Sequence, residues 1–438
     1  MGREQVCRRS EFRPAAEPTR NTKAVAQSIL QLALLTGFAA AAGCRLAGGE
    51  SDPIDAGSGG MTDMAGAAGA GGDGQTGGSA AGGDGGELGA GGVAGTGGIA
   101  GVAGADAAAS CATPPPASPL VGWAAVHPLN PSGTTGAGDE TPVQVTTTAD
   151  FNNNAGGTNA RVLYVTGSLT GQFYVGSNKT IIGLCGASLH GHLEMNGSVN
   201  VIVRNLAIVG FGVGDCALDP TYDPTIGCSS GLDAVSVYGG AQRVWFDHCD
   251  ISDGTDGNLD ITTGANFVTV SWTKFHYTPR TDNVGSDSSG GTGHRFSNLV
   301  GGNDNSPVDV NALNVTWHHD WWADNVSERQ PRVRYGKNHL FNNLYSATGD
   351  SYCVRAGMAA GLLLENNVFV GVASPFVFNS AADQATAFIT ANNNLYLTVT
   401  GTMSPGGGGT PFTSPPYPYT LDGLDGLQDA IRADAGPQ

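Results

Sequence analysis

The chain has 438 residues, 69 of them glycine, and carries 20 Lys and Arg against 38 Asp and Glu, a formal net charge of −18. Nucleic acids and anionic surfaces are bound by clustered Lys and Arg, so we expect neither as a charge-driven partner. The length allows one large domain or two to three of average size.

The amino terminus has the pattern of an export signal. Arg20 and Lys23 precede an apolar run over residues 29–35, and small residues then lead to Cys44. The run is too short for a comfortable membrane span. Small residues directly before a cysteine predict a lipoprotein-type signal over residues 1–44, with Cys44 lipidated, and an ordinary cleaved signal peptide is the alternative. Either predicts a secreted or cell-surface protein; lipidation would anchor it to the bacterial outer membrane.

A glycine-rich segment follows the signal. Residues 48–110 hold 24 glycines and eight acids, with no Lys, Arg or aromatic residue. Such a segment buries too little apolar surface to offset the entropy of ordering it. We therefore predict a disordered linker over residues 45–117 and one domain over residues 118–438, which holds all six tryptophans.

The predicted domain consists of short β-type runs without the 3.6-residue apolar stripe of a helix. The clearest runs are 161–165, 180–182, 199–203, 235–237, 244–246, 268–270, 315–317, 339–341 and 362–364. Val244 and Val268 are 24 residues apart, Val315 and His339 are 24 apart, and His339 and Leu362 are 23 apart. A coil of this length, repeated many times, indicates a solenoid.

Asparagines follow several of these runs, at 342–343, 366–367 and 392–394. Asparagines at one coil position can stack and hydrogen-bond at the ~4.8 Å strand spacing. The sequence therefore predicts an all-β, right-handed parallel β-helix. A β-sandwich is the alternative, although its strands would recur every ~8–12 residues.

After the predicted signal the chain has six cysteines, an even number that is compatible with three disulfides in an exported protein. Six cysteines allow 15 pairings. Cys216 with Cys228, across a loop rich in Pro and Gly, is the pairing easiest to expect. No CxxC pair or His/Cys cluster indicates zinc.

Aspartates are concentrated between residues 215 and 260. Asp233 and Asp256 are 23 residues apart, which places them on adjacent coils. Asp256 and Asp260 are four apart, so the chain must bend between them if both are to reach one ion. Oxygen ligands without His or Cys favour Ca²⁺ and leave room for water and substrate carboxylates. The alternative is a set of solvated turn aspartates.

A second cluster is cationic. Four cations fall within nine residues: Arg329, Arg332, Arg334 and Lys337. Pro331 excludes a helix interior there, so the cluster lies on a strand or loop. Guanidinium groups are natural partners of carboxylates, which suits a linear polyanion. Surface salt bridges to the many aspartates are the alternative.

These motifs resemble those of polysaccharide lyase family 1, the pectate lyases. The resemblance covers roughly residues 120–400. Three blocks carry it: Val244–Cys249; Asp256–Ile261 with Val268–Trp272; and Arg329–Gly336 with His339 and Asn342-Asn343. It implies a parallel β-helix that uses Ca²⁺ to act on polygalacturonate, the de-esterified form of pectin. We expect a monomer.

The resemblance also implies roles for individual residues. Asp233, Asp256 and Asp260 would hold Ca²⁺, and Arg329 takes the family's base position. The substrate-binding positions are Arg280, Arg334 and Arg355. Two positions depart from the pattern of some members: Gly231 replaces a further calcium aspartate, and Thr262 replaces a lysine.

The implied reaction is β-elimination. A base removes the C5 proton of a uronate, the C4 oxygen leaves, and an unsaturated sugar remains. Arginine is normally protonated, so Arg329 would need nearby cations, such as Ca²⁺ and Arg334, to become neutral. This mechanism predicts an alkaline activity optimum.

Three other functions remain open on these residues. A pectin lyase acts on methyl esters and needs no calcium aspartates, and a polygalacturonase needs a pair of catalytic carboxylates. A non-catalytic surface protein would bind acidic polysaccharide through the same face. Asp247 and His248, which suggest an acid–base pair, are expected to be structural.

Overall fold

The computed structural model describes residues 113–126, 133–279 and 294–438. These residues form a parallel β-helix in which strands of successive coils pair in register. Three strands make up a typical coil, so the 23 strands of the described residues form three long parallel sheets. The predicted fold class is therefore confirmed.

The first sheet contains the beginnings of the long strands β2 (Arg161–Tyr174) and β3 (Lys179–Asn196). Its other strands are β1 (Val143–Val145), β4 (Val199–Arg204), β7 (Gln242–Asp247), β10 (Asn266–Ser271), β13 (Val315–His318), β16 (Lys337–Phe341), β19 (Gly361–Glu365) and β22 (Phe388–Asn392). Eight of the nine predicted runs begin strands of this sheet or lie within them, since long apolar runs mark its buried strands.

The second and third sheets have shorter strands and include the later parts of β2 and β3. The second sheet adds β5 (Ala207–Val209), β8 (Asp250–Ser252), β11 (Lys274–His276), β14 (Trp321–Trp322), β17 (Leu344–Tyr345), β20 (Val368–Val370) and β23 (Leu395–Leu397). The third sheet adds β6 (Val235–Tyr238), β9 (Leu259–Ile261), β12 (Asn298–Val300), β15 (Arg332–Val333), β18 (Val354–Ala356) and β21 (Phe376–Phe378).

The coil spacing read from the sequence is correct for one pair and off by one residue for two. Val244 pairs with Val268 as expected. Val315 pairs with Asn338 and not with His339, and His339 pairs with Leu363. The apolar residues of these runs alternate with buried polar ones, so sequence periodicity alone does not fix the register.

Asparagine stacking between coils is confirmed at the corner between the first and second sheets. Asn343 Nδ2 donates to Asn367 Oδ1, and Asn367 Nδ2 donates to Asn394 Oδ1, each at 2.9 Å. Each of these residues directly precedes a strand of the second sheet. The buried amides therefore satisfy one another from coil to coil.

Aromatic rings stack inside the coil in the same way. The ring of Tyr345 lies between Trp322, at a centroid distance of 4.7 Å, and Phe369, at 4.4 Å. These three side chains occupy one position of successive coils in the second sheet. The core is therefore a set of ladders that run along the solenoid.

Three short α-helices were missed by the sequence analysis: α1 (Thr148–Ala155), α2 (Ala381–Thr386) and α3 (Leu427–Asp434). Helix α1 begins after Thr147, whose hydroxyl accepts the Asp150 N–H, and it buries Phe151 against Phe173. Eight residues or fewer hold too few turns to show a periodic stripe. No helix among the described residues is long and apolar enough to cross a membrane.

Three disulfides, with which the six cysteines would be compatible, are not formed, because two of the cysteines are free thiols. Cys216 and Cys228 are bonded, as expected, and Cys185 is also disulfide-bonded. Cys249 and Cys353 are free thiols, both fully buried. Cys249 precedes β8 at one corner of the coil and Cys353 precedes β18 at another, so the two sulfurs do not meet.

The C-terminal segment (residues 410–438) runs back along the corner between the first and second sheets. Tyr419 Oη donates to Glu365 Oε2 at 2.6 Å, and His319 Nε2 lies 3.0 Å from Asp422 Oδ2. The predicted signal with Cys44 and the predicted linker up to residue 112 lie outside the described residues. At residues 113–117 the chain contacts the β-helix, since Arg204 Nη2 donates to the Pro115 carbonyl.

Candidate active site

One register position of the third sheet carries charged side chains on several successive strands. Asp260 on β9 pairs with Leu299 on β12, Leu299 pairs with Arg332 on β15, and Arg332 pairs with Arg355 on β18. Parallel partners in register point to the same face of a sheet, ~4.8 Å apart. A carboxylate and two guanidinium groups therefore follow one another along the solenoid axis.

Three aspartates come together at the carboxylate end of this position. Asp233 lies two residues before β6, Asp256 lies in a bend before β9, and Asp260 lies on β9. The expected bend between Asp256 and Asp260 is present. Burial, together with the negative charges of its neighbours, raises the pKa of Asp233 well above its usual range. Burial and the Asp256 charge likewise raise the pKa of Asp260 to about 7, although Arg329 opposes this.

Two of these carboxylates converge on one point. A Cβ atom on Gly257 would lie 3.0 Å from Asp260 Oδ1 and 3.1 Å from Asp233 Oδ1. Ser236 Oγ donates to Asp233 Oδ2 at 2.8 Å, whereas the buried Oδ1 has no hydrogen-bond partner among the described residues. A buried, unpaired carboxylate oxygen facing a second carboxylate fits a cation with oxygen ligands.

The third carboxylate is engaged elsewhere. His294 Nε2 lies 2.9 Å from Asp256 Oδ1, 38 positions further along the chain. Within the described ranges, no group of three or more His, Cys, Asp or Glu side chains has the arrangement of a metal site. Asp233 and Asp260 thus fit part of a calcium shell, and Asp256 would add to it by leaving His294. No sequence signal pointed to His294.

Arg329 lies beside the carboxylates, on the coil after β12. It has a left-handed backbone conformation with φ +60°, and its guanidinium lies 4.6 Å from the centre of the Phe296 ring. Burial lowers its pKa, but the charges of Asp256, Asp260 and Glu328 outweigh this, so that the net pKa is raised. Arg329 therefore carries its positive charge in this structure.

Arg334 has a different environment from the one expected of a substrate contact. Its side chain is only 2% exposed. Its Nε donates to Asp304 Oδ1 at 2.7 Å and its Nη1 donates to the Gly301 carbonyl at 3.0 Å. Arg334 thus holds the loop after β12, and Arg332 takes the position in line with Asp260.

Arg355 is the second guanidinium of the charged position. It lies over the Tyr352 ring at 3.6 Å, and its Nη1 is 3.5 Å from Asn379 Oδ1. The remaining predicted substrate residue, Arg280, lies outside the described residues. The structure therefore brings Asp233, Asp256, Asp260, Arg329 and Arg355 to one region.

Gly231, the position of a further aspartate in some relatives, has no room for a side chain in this chain. A Cβ atom there would lie 2.2 Å from Thr255 Cγ2 and 2.8 Å from Asp219 Oδ2. Asp219 Oδ2 accepts the Leu232 N–H at 2.8 Å, which fixes the chain directly before Asp233. The Asp219 carboxylate therefore accepts a backbone hydrogen bond that positions the chain.

Two other features, a polar residue pair and a cavity, lie away from this region. Asp247 and His248 form a pair at 3.1 Å at the end of β7, in the first sheet, and Ser271 also donates to Asp247. A cavity of about 310 Å³ lies beneath the C-terminal segment, with Trp272, His319 and Tyr419 in its wall. It contains none of the predicted calcium, base or substrate residues.

Comparisons with known proteins agree with the fold and the motifs. A family model described as pectate lyase matches residues 90–424. Pectate lyase B of Colletotrichum gloeosporioides is 34% identical over 322 residues, which cover 70% of this chain and 83% of that protein. The pectate trisaccharide-lyase of Bacillus licheniformis is 27% identical over 338 residues, covering 72% and 86%.

A solved structure shares the fold. The pectate lyase of Bacillus sp. N165, in complex with trigalacturonate, aligns with a TM-score of 0.54 at 21% identity, over 72% of this chain and 98% of that one. The parallel β-helix, the charged position on its third sheet and the extended match to the family model lead to one conclusion. This chain belongs to the pectate lyase family and is a polysaccharide lyase.

Proposed function

We propose that this lyase cleaves polygalacturonate by calcium-dependent β-elimination and releases unsaturated oligogalacturonides. The observation that carries the proposal is the line of Asp260, Arg332 and Arg355 at one register position of the third sheet. A polyanion with a carboxylate on every ring meets charged groups of both signs along this line: Asp260 and Arg332 lie two strands apart, and Arg355 follows Arg332 after one ~4.8 Å step.

The two ends of this line would bind the uronate carboxylates in different ways. Arg332 and Arg355 offer guanidinium groups directly. Asp233 and Asp260, joined by Asp256, would hold Ca²⁺, which when bound supplies positive charge that neutralises a uronate carboxylate and so acidifies its C5 proton. The aspartates alone would repel the substrate, so we expect activity to need the metal.

Arg329 is the group we assign to the C5 proton. The electron pair of the broken C5–H bond forms the C4–C5 double bond, and the C4 oxygen leaves with the pair of the C4–O bond and is protonated from water. The charges of Asp256, Asp260 and Glu328 keep Arg329 protonated in this structure. Their neutralisation is therefore a condition for Arg329 to accept a proton. Arg334 does not help, because its charge is paired with Asp304.

The test follows the ultraviolet absorbance of unsaturated products from polygalacturonate, with Ca²⁺ and with a chelator. We expect the absorbance to rise in the presence of Ca²⁺ and this rise to stop when the chelator is added. Arg329→Lys keeps the charge and should lower kcat by at least a hundredfold, whereas Arg432→Lys, on helix α3, should leave it unchanged.

Two outcomes would replace this proposal. A rise with methylated pectin that a chelator does not affect would indicate a pectin lyase. Binding of polygalacturonate without any rise would indicate a non-catalytic polysaccharide-binding protein. Wild-type turnover by Arg329→Lys would remove Arg329 from the mechanism.

A further inference from the structure

Two arginines of the site, Arg329 beside the charged position and Arg355 within it, each lie against a buried aromatic ring. Arg329 lies 4.6 Å from the Phe296 ring, and Arg355 lies 3.6 Å from the Tyr352 ring. Phe296 is 6% exposed and Tyr352 is 1% exposed. A cation over a desolvated ring is attracted by the negative face of the ring, so both rings restrict the guanidinium groups.

Tyr352 also neighbours Arg329. The Gln330 N–H donates to the Cys353 carbonyl at 2.8 Å, which brings Arg329 level with Tyr352 on the next coil. Phe296 bridges to Glu328 on the opposite side. Arg329 therefore lies between a coil that carries Phe296 and a coil that carries Tyr352, and each of Arg329 and Tyr352 shifts the pKa of the other.

Tyr352 and Arg329 each have a buried polar group without a hydrogen-bond partner among the described residues. These groups are the Tyr352 hydroxyl and Arg329 Nε. A buried hydroxyl or N–H is normally paired, because leaving it unpaired keeps the cost of removing it from water without compensation. The groups are complementary, because Nε–H is a donor and the phenol oxygen accepts. Hydrogen bonds of an active site often tighten only when substrate is bound.

We propose that Tyr352 is a positioning residue of the lyase site: its hydroxyl accepts a hydrogen bond from Arg329 Nε–H in the substrate complex, and its ring holds Arg355. The hydroxyl orients the guanidinium of Arg329, which is assigned to the C5 proton, so loss of the hydroxyl should lower kcat. The ring orients a group that binds a uronate carboxylate, so its loss acts on KM. This inference rests on the proposed function.

The experiment compares two substitutions of Tyr352 on polygalacturonate with Ca²⁺. Tyr352→Phe keeps the ring and should lower kcat about tenfold with KM unchanged, the loss expected for one hydrogen bond. Tyr352→Leu removes both groups and should also raise KM several-fold. If Tyr352→Leu does not fold, Tyr352→Phe still decides the question.

Tyr345 provides the matched control. It is fully buried on β17, its hydroxyl also has no hydrogen-bond partner among the described residues, and its ring stacks on Trp322 and Phe369 away from the arginines. Tyr345→Phe should leave kcat and KM unchanged. Wild-type kcat in Tyr352→Phe, or an equal loss in Tyr345→Phe, would overturn the inference. An inactive wild-type enzyme would instead refute the proposed function.

Discussion

Asp260 and Arg332 flank Leu299 at one register position of the third sheet, so a carboxylate and a guanidinium project from the same face two strands apart. Two strand spacings separate their backbones by about 10 Å. Asp260 alone repels a uronate, whereas Arg332 attracts one. Both residues can therefore contribute to binding the same polymer only if a cation neutralises Asp260. This relationship leads to the first prediction.

Asp260→Asn should abolish the calcium response of the protein. The pKa of Asp260 is about 7 because burial and Asp256 oppose its ionisation, so its charge destabilises the metal-free protein above that pH. At pH 8.5 we expect a higher Tm than wild type in chelator and no rise on adding Ca²⁺, as followed by thermal unfolding. Asp425→Asn, at an exposed position, serves as the control. An undiminished calcium shift would remove Asp260 from the site.

Asn367→Ala should destabilise the β-helix more than Asn394→Ala. Asn367 is buried and bonded on both sides, and its Oδ1 accepts from both the backbone N–H and the Nδ2 of Asn343, so its loss removes two hydrogen bonds of Asn343. Asn394 ends the ladder and is partly exposed. We expect about 1–3 kcal/mol for Asn367→Ala and clearly less for Asn394→Ala. Urea unfolding measures both, and equal losses would contradict a cooperative ladder.

The attachment of the C-terminal segment should weaken in acid. Burial alone would raise the pKa of Glu365, but hydrogen bonds from His339, Tyr419 and Asn392 outweigh it and lower the pKa to about 2, from an ordinary 4.5. A lowered pKa means that the stabilisation is complete above 4.5 and is lost as pH falls towards 2.

The measurement is the Tm difference between wild type and Glu365→Gln from pH 6 to pH 3. We expect the advantage of the wild type to shrink as the pH falls. A difference that stays constant across this range would show that the ionised carboxylate does not hold the segment.

We also propose that the protein is exported and anchored by lipid at Cys44. Residues 29–35 form a short apolar run, and Cys44 follows small residues, as in a lipoprotein signal. Cys44→Ser should move the protein from the membrane fraction of the producing bacterium to the soluble fraction. Wild type already in the soluble fraction would favour an ordinary cleaved signal.

The strands and the clustering of the three aspartates were predictable because each repeats a local pattern. Apolar runs at intervals of 23–24 residues marked the first sheet, and Asp233 and Asp256 share that interval. His294 and Tyr352 were not predictable. They reach Asp256 and Arg329 only through the stacking of coils, whose register depends on loops of unequal length. The burial of Arg334 escaped detection for the same reason, since Asp304 lies in such a loop.

The reactivity of the two free thiols can be used to follow local unfolding of the native protein. Cys249 and Cys353 are fully buried, and burial raises the pKa of Cys249 to about 12, so neither reacts as a thiolate in the folded state. They occupy different coils, with two further coils between them. In a structure whose coils contact only their neighbours, equal labelling rates at the two sulfurs would indicate unfolding as one unit, and unequal rates would reveal fraying from one end.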